Sequence, residues 1–338
     1  MPEAFPMTLL GKSQMGVSTI NLIFYVTFLV FSVFATLLIT EIMGSVLMLI
    51  AWDKTRSKVL EYIVPIWEVT GTFGVFWVVV VDFSFPDILI PAAHIYAVAI
   101  MLFLILMVAR NASVVFGEYI LKKGWLDAKK LYRAYSISTL ALGTVVLVIL
   151  SSIISGKGVD LANLEFQLGT WLSSGGSYAF IIGTLLIGVG LAPAFFGLKE
   201  LRFLSLPATI AGVGLSVLSY YLYLPALVTP YIAIPVVLTL LVPLLFSMEK
   251  AYSLVTNKLL FAIVAVIILF SLNFLVYPNA FGRALAVDSI TTSGHMAGAF
   301  FTITVLGGFL LAVMLAIYLF AVKRDLGKKT ATAGKPRP

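Results

Sequence analysis

Two carboxylates of this sequence lie inside stretches that are otherwise apolar. Glu41 belongs to the long apolar run 18–51, and Glu68 follows Trp67 near the start of the run 62–81. A charged side chain at the centre of a membrane helix costs about 2.5–3.5 kcal/mol on insertion scales, so such a carboxylate is expected to be neutral, paired or in contact with water. Glu41 and Glu68 are therefore the first candidates for a functional role.

The positions of these two acids suggest a proton path. With a rise of 1.5 Å per residue, Glu68 lies about 9 Å and Glu41 about 15 Å from the inner end of its own run. The segment 52–61 between the runs is short, so we expect two antiparallel helices whose carboxylates follow one another along one path. Acids at staggered depth are what a proton relay needs. The alternative is that each carboxylate hydrogen-bonds a neighbouring helix and only fixes its packing.

Small residues near the two acids indicate close helix packing. Thr40 and Gly44 are four residues apart, as are Thr70 and Gly74. Small residues at this spacing allow membrane helices to approach closely. We therefore expect the first two runs to contact each other around Glu41 and Glu68.

The composition is that of a polytopic membrane protein. The 338 residues are 61% hydrophobic and 11% charged, with a mean hydropathy of +1.09, whereas soluble domains carry about 25% charged residues. The absence of cysteine excludes disulfides and thiolate metal sites. The net charge of +7 does not indicate nucleic-acid binding, because the basic residues flank apolar runs.

The apolar runs predict an all-α fold of about nine membrane helices, arranged in two bundles. About 20 apolar residues are needed to cross a bilayer as a helix. The predicted spans are 18–51, 62–81, 88–109, 134–155, 177–197, 203–222, 226–247, 258–277 and 297–321. The predicted organisation is an external N-terminal segment 1–17, a first helical bundle 18–155 with the acidic candidates, a second bundle 156–321, and a basic cytoplasmic tail 322–338.

The distribution of basic residues predicts the orientation. Alternate loops and the C-terminal tail contain 19 of the 22 lysine and arginine residues, and the N-terminus with the other loops contains only Lys12, Lys157 and Arg283. Short loops rich in basic residues remain in the cytoplasm. We therefore expect a multi-pass protein of the plasma membrane, with its N-terminus outside and its C-terminus in the cytoplasm.

Further polar residues have both a functional and a plain interpretation. Arg110 is a cation that ends a helix, or it is the counter-ion of one of the acids. Glu118 is expected to be solvated, and Asp288 to cap a helix in an external loop. His94 and His295 are the only histidines. Haem iron usually needs His, Met, Cys or Tyr ligands, so this histidine count argues against a chain that holds several haems.

Several motifs resemble subunit II of the cytochrome bd-type quinol oxidases. Residues 65–68, Pro-Ile-Trp-Glu, resemble the Pro-His-Trp-Asp of that family, although Val-Thr-Gly stands where the family has Gly-Asn-Gln. Residues 40–44 occupy the place of its Asp-Gly-Phe-Asp-x-Gly motif. Residues 116–119, Phe-Gly-Glu-Tyr, resemble its Phe-Asp-Tyr-Arg stretch. Residues 243–251 and 288–293 resemble the turn and the external loop that precede its last two helices.

The resemblance implies a haem-free subunit that is not catalytic alone. It would pair with the haem-bearing subunit I, which holds haems b and d and the quinol site, and together they would reduce oxygen to water. Glu68, Glu41 and Trp67 would form a cytoplasmic proton path, with polar support from Arg110, Glu118 and Asp288. No cofactor or metal is expected on this chain itself, apart from a structural quinone or lipid. Membrane lipids and small accessory subunits are further expected partners.

A proton-coupled secondary transporter of a small substrate is the alternative hypothesis. Transporters of this kind often have helices that are broken near the middle of the membrane. Helix-breaking residues are frequent in the second half of the chain: Pro193, Pro207, Pro225, Pro230, Pro235 and Pro243.

Overall fold

The computed structural model describes residues 17–120, 127–223, 232–276, 279–280, 285–286, 298, 301–313 and 316. Nearly all of these residues are helical, which confirms the all-α prediction. The helices, in chain order, are α1 (Val17–Ser84), α2 (Pro86–Ile95), α3 (Ala97–Val115), α4 (Ala128–Ser155), α5 (Leu168–Leu172), α6 (Gly175–Phe195), α7 (Arg202–Tyr223), α8 (Ala233–Ser247), α9 (Tyr252–Val255), α10 (Lys258–Val276) and α11 (Phe301–Val313).

Short elements connect these helices. A π-helical turn, Phe116–Ile120, follows α3, and 3₁₀ turns precede α7 and α9 at Lys199–Leu201 and Glu249–Ala251. Strand β1 (Val159–Asp160) pairs antiparallel with β2 (Glu165–Phe166) between α4 and α5. Strand β3 (Asn279–Ala280) pairs in the same way with β4 (Leu285–Ala286) after α10.

Helix α1 is sharply kinked at Ala51, whose φ of −141° and ψ of 52° are not helical. We call residues 17–50 the N-terminal arm and residues 52–84 the C-terminal arm. The hydroxyl of Thr55 donates to the carbonyl oxygens of Leu47 (3.1 Å) and Ala51 (2.9 Å), which satisfies backbone groups left open by the kink. The loop predicted at 52–61 is therefore wrong. Its Lys, Arg and Glu residues favour helix, and they continue the C-terminal arm directly after the turn.

The two arms pack as an antiparallel pair, which confirms that prediction. The Thr40 hydroxyl lies 3.0 Å from the Tyr62 hydroxyl, across the interface. Small residues permit this approach, because a Cβ added at Gly44 would come within 2.8 Å of the Ile63 side chain. A Cβ added at Gly74 would come within 2.9 Å of Phe34. The arms, α3, α4, α6 and α10 all contribute to one buried apolar core.

The helix predicted at 88–109 is divided and displaced. Backbone helicity breaks at Tyr96, between α2 and α3. Helix α3 then continues to Val115, and α4 begins at Ala128, where the side chain of Asp127 accepts a hydrogen bond from the Lys130 amide (2.8 Å). Residues 110–120 and 128–133 of the connection predicted at 110–133 are therefore helical.

Basic residues from several segments lie at one end of the bundle, which we call the basic end. The Lys58 ammonium donates to the carbonyl oxygen of Gly197 after α6 (2.7 Å), and Lys258 at the start of α10 lies 5.2 Å from the centre of the Tyr62 ring. Lys129 at the start of α4 lies 4.0 Å from Asp53. The kink of α1 and the ends of α4, α6 and α10 therefore meet at this end.

The described helices support a multi-pass membrane protein. Five are long and apolar enough to span a membrane, and α8 with α9, bent by 111°, gives a sixth if the pair counts as one span. Helix α1 is counted as one of the five. Its two arms, however, overlap two predicted spans, 18–51 and 62–81. The shorter apolar stretches Lys258–Leu272 and Phe301–Val313 overlap the last two. The predicted number of nine is not confirmed.

Candidate functional site

A cluster of four polar side chains lies where the two arms of α1, α3 and α4 meet. Glu41 belongs to the N-terminal arm, Thr70 to the C-terminal arm, Arg110 to α3 and Tyr135 to α4. Each of these residues is at most 1% exposed. We call this group the Glu41 cluster.

The Glu41 carboxylate accepts hydrogen bonds through both of its oxygens. Thr70 Oγ1 donates to Oε1. Three donors converge on Oε2: Arg110 Nε at 3.1 Å, Arg110 Nη2, and the Tyr135 hydroxyl at 2.5 Å. Hydrogen bonds from charged donors to carboxylates are the strong ones in proteins. The carboxylate is therefore held by three helical segments other than its own.

Arg110 is the counter-ion of Glu41, so the second of its two interpretations is supported. Arg110 Nη2 also donates to the Trp67 carbonyl (3.3 Å), and Nη1 donates to Asn111 Oδ1 (2.8 Å) and contacts Met107 Sδ (3.4 Å). Its guanidinium carbon lies 5.7 Å from the centre of the Tyr135 ring. Every nitrogen of the guanidinium thus has an acceptor, as a buried cation requires.

The structure does not bring Glu68 to this cluster. Thr70 points toward Glu41, and Glu68 is two residues earlier, about 200° around the helix at 3.6 residues per turn. The Glu68 side chain is accordingly exposed on the surface of the chain. Within the part of the chain that the structure describes, no side chain pairs with its carboxylate. Glu41 therefore contacts one side of the C-terminal arm and Glu68 lies on the other, and the proton path predicted through them stays a prediction.

Trp67 lies between these two environments. Its side chain is half-buried and packs against the apolar core. Its carbonyl oxygen accepts the hydrogen bond from Arg110 (3.3 Å). The backbone of Trp67, next to the exposed Glu68, is therefore hydrogen-bonded to the buried ion pair. Its indole ring packs against the apolar core.

Glu118 forms a second pair of a carboxylate with a tyrosine. It lies in the π-helical turn after α3. The prediction was a solvated side chain, whereas the structure shows a half-buried one. The hydroxyl of Tyr132, on α4, donates to Glu118 Oε1. Asp288 and His295 lie outside the described residues. His94 is exposed, and its Nδ1 lies 3.0 Å from the Ile90 carbonyl oxygen of the preceding turn.

Tyr132 and Tyr135 are absent from the candidates that the sequence suggests. The predicted loop 110–133 placed Tyr132 outside any helix, and tyrosines near the end of a span are usually interfacial. A usable signal exists nonetheless: Tyr132, Tyr135, Ser136 and Thr139 recur at spacings of three and four residues. Such spacing forms a polar stripe on one face of a helix.

A partly open apolar cavity of about 300 Å³ lies farther from the basic end, lined by residues of the N-terminal arm, α4, α6, α7, α8 and α10. Its walls are aromatic and aliphatic side chains, among them Phe28, Phe31, Leu150 and Leu269. Tyr220 on α7 is 7% exposed and contributes one of the few polar groups. A site of this composition suits a hydrocarbon chain.

Comparison with known proteins shows what kind of fold this is. No protein-family model matches the sequence, and no curated protein matches it. Among solved structures, the chain is similar to a chain of "The structure of bd oxidase from Geobacillus thermodenitrificans", with 18% sequence identity and a TM-score of 0.69. The match covers 90% of this chain and 98% of that chain. The protein is thus a helical membrane protein with the fold of a chain found in a bd-type oxidase.

Proposed function

We propose that this chain is the haem-free subunit II of a bd-type quinol oxidase. The observation that carries the proposal is the fully buried Glu41 cluster. It lies in a fold that is similar to an oxidase chain over 90% of the length of the present chain. A membrane protein keeps buried charged groups where they serve ion or proton movement. Reduction of oxygen to water consumes protons, and a subunit beside the haems is suited to deliver them.

The exposed carboxylate of Glu68 is evidence that a partner chain lies against this face of the C-terminal arm within the membrane. Around it the C-terminal arm presents apolar side chains, including Val75 (67% exposed), Val78 and Val79. A carboxylate facing hydrocarbon costs about 2.5–3.5 kcal/mol, and this cost falls when a polar group or water lies against it. We therefore assign this face to contact with the haem-bearing subunit I, whose groups would complete a path beginning at Glu68.

The proposed roles of the two acids differ because their surroundings differ. Glu68 would take up protons at the boundary between the subunits, with Trp67 shaping that boundary. Glu41, held by Arg110, would act farther inside this chain. Arg110 would support Glu41, with which it forms an ion pair. Glu118, which pairs with Tyr132, and Asp288 would give further polar support.

The apolar cavity is the proposed place for the structural quinone or lipid. Its volume and its hydrocarbon walls suit an acyl or isoprenoid chain, and nothing about them favours a strongly polar molecule. The bound molecule would fill space between the N-terminal arm and the second half of the bundle. This property also weakens the hypothesis of a transporter for a polar substrate, which would need convergent polar groups.

Purification with native partners tests the proposal most directly. We expect a companion chain whose visible spectrum shows haem b and haem d, together with quinol-dependent oxygen consumption. A colourless chain that purifies alone, and that takes up a substrate when reconstituted in vesicles, would contradict the oxidase and favour the transporter.

The substitution Glu68→Gln tests the proton role within that complex. It keeps the size and removes the titratable group, so we expect oxygen-reduction turnover to fall roughly 100-fold, as for loss of a proton-transfer group. Glu61→Gln is the matched control, because Glu61 is an exposed acid of the same arm at the basic end. Unchanged turnover of an assembled, haem-loaded Glu68→Gln complex would remove Glu68 from the mechanism.

A further inference from the structure

Two tyrosine–carboxylate pairs lie one above the other along α4. The Tyr132 hydroxyl donates to Glu118, and the Tyr135 hydroxyl donates to Glu41 at 2.5 Å. Both tyrosines are at most 2% exposed. Burial of two phenols, each aimed at a carboxylate, goes beyond what packing of an apolar helix requires.

The spacing of the two pairs suits a stepwise transfer. Residues 132 and 135 are three apart, so their side chains lie on the same face of α4 and are displaced by about 4.5 Å along its axis. One water molecule that bridges two hydrogen-bonding oxygens spans about 5.5 Å. The axial displacement of the two residues is thus comparable to the span of one bridging water.

The Glu118 pair is the outer of the two. Tyr132 is in the second turn of α4, close to the basic end, and its ring lies 6.1 Å from that of Trp52 beside the kink of α1. Glu118 is half-buried, whereas Glu41 is fully buried.

We propose that Tyr132 and Tyr135 carry protons from Glu118 at the basic end to Glu41, as a route inside this chain. A protonated Glu118 gives its proton to the Tyr132 oxygen, and Tyr132 gives its hydroxyl proton to a bridging water. The water passes one of its protons to the Tyr135 oxygen and Tyr135 gives its hydroxyl proton to Glu41, so both tyrosines and the water are unchanged after the transfer. The inference rests on the proposed oxidase function, and it adds a route that supplies protons to Glu41. It is separate from Glu68, which lies on the opposite side of the C-terminal arm.

The test is Tyr135→Phe in the intact oxidase complex. Phenylalanine keeps the ring against Arg110 and removes only the hydroxyl. We expect turnover to fall about tenfold and the solvent deuterium isotope effect on turnover to increase, with haem content unchanged. Tyr96→Phe is the matched control, because it removes another buried hydroxyl, which donates to Ser152 at 2.9 Å outside the Glu41 cluster.

A second pair of variants keeps the proposal open to refutation if Tyr135→Phe fails to assemble. Tyr132→Phe and Glu118→Gln interrupt the outer step without touching the ion pair, and both should lower turnover and raise the isotope effect. Wild-type turnover and isotope effect in these variants would overturn the route through the tyrosines while leaving the oxidase function intact. A native complex without oxygen-reducing activity would overturn both.

Discussion

Arg110→Met is the change that most directly tests the physical basis of the site. Methionine replaces the aliphatic part of the side chain but leaves the Glu41 carboxylate without its counter-ion. Glu41 would then keep only its hydrogen bonds from Thr70 and Tyr135. Because the carboxylate is 0% exposed, water cannot take the place of the guanidinium in the folded chain.

The expected loss of stability follows from this burial. Breaking a buried ion pair by removing one partner costs about 3–5 kcal/mol, and the two retained hydrogen bonds favour the lower end of that range. Glu41→Gln should cost a similar amount, since it leaves the Arg110 cation unpaired. The double variant leaves no unpaired charge. The glutamine amide can accept from one of the two hydroxyls through its oxygen and donate to the other through its nitrogen. We therefore expect the double variant to be more stable than either single variant by about 2 kcal/mol.

The assay is the free energy of unfolding in mixed micelles, measured by tryptophan fluorescence as the fraction of denaturing detergent increases. Arg133→Met is the matched control, because Arg133 is an exposed arginine on α4 at the same end, and it should change stability by less than about 0.5 kcal/mol. A loss below about 1 kcal/mol for Arg110→Met, or strictly additive single variants, would refute the assignment of a buried ion pair.

Two further predictions concern other parts of the fold. Gly212→Ala should destabilise the α6–α7 contact by about 1–3 kcal/mol, because a Cβ there would lie 2.6 Å from the Ile187 amide nitrogen. Gly214→Ala is the control and should leave stability unchanged, because Gly214 faces open space on the same helix. The pKa of Asp160 is lowered from its ordinary value of 3.8 by the side-chain hydrogen bond from Asn163, together with further backbone and side-chain donors. The Asp160 carboxylate therefore stabilises the hairpin above pH 3.8, and this stabilisation is lost as the pH falls through the lowered pKa. Asn163→Ala should therefore shift the acid loss of amide protection in the β1–β2 hairpin to higher pH, as measured by hydrogen exchange; an identical acid profile would contradict this.

The sequence was sufficient to find the acids but not their partners. A carboxylate in an apolar run stands out because its insertion is costly, so Glu41 could be selected without a structure. Its partners Arg110 and Tyr135 are 69 and 94 residues away along the chain. Nothing local distinguishes an arginine that ends a helix from one that faces a buried acid. Only the packing of α3 and α4 against α1 separates these cases.

The boundaries of the first helices were mispredicted for a related reason. Charged residues at 52–61 and 110–133 were interpreted as loops because hydropathy falls there. Hydropathy reports the cost of burial in lipid, whereas helix formation depends on backbone hydrogen bonds that Lys, Arg and Glu support equally well. Residues 52–61, 110–120 and 128–133 are thus helical although they carry charges. The antiparallel packing of the two arms was predictable, because it depends on the spacing of the apolar runs.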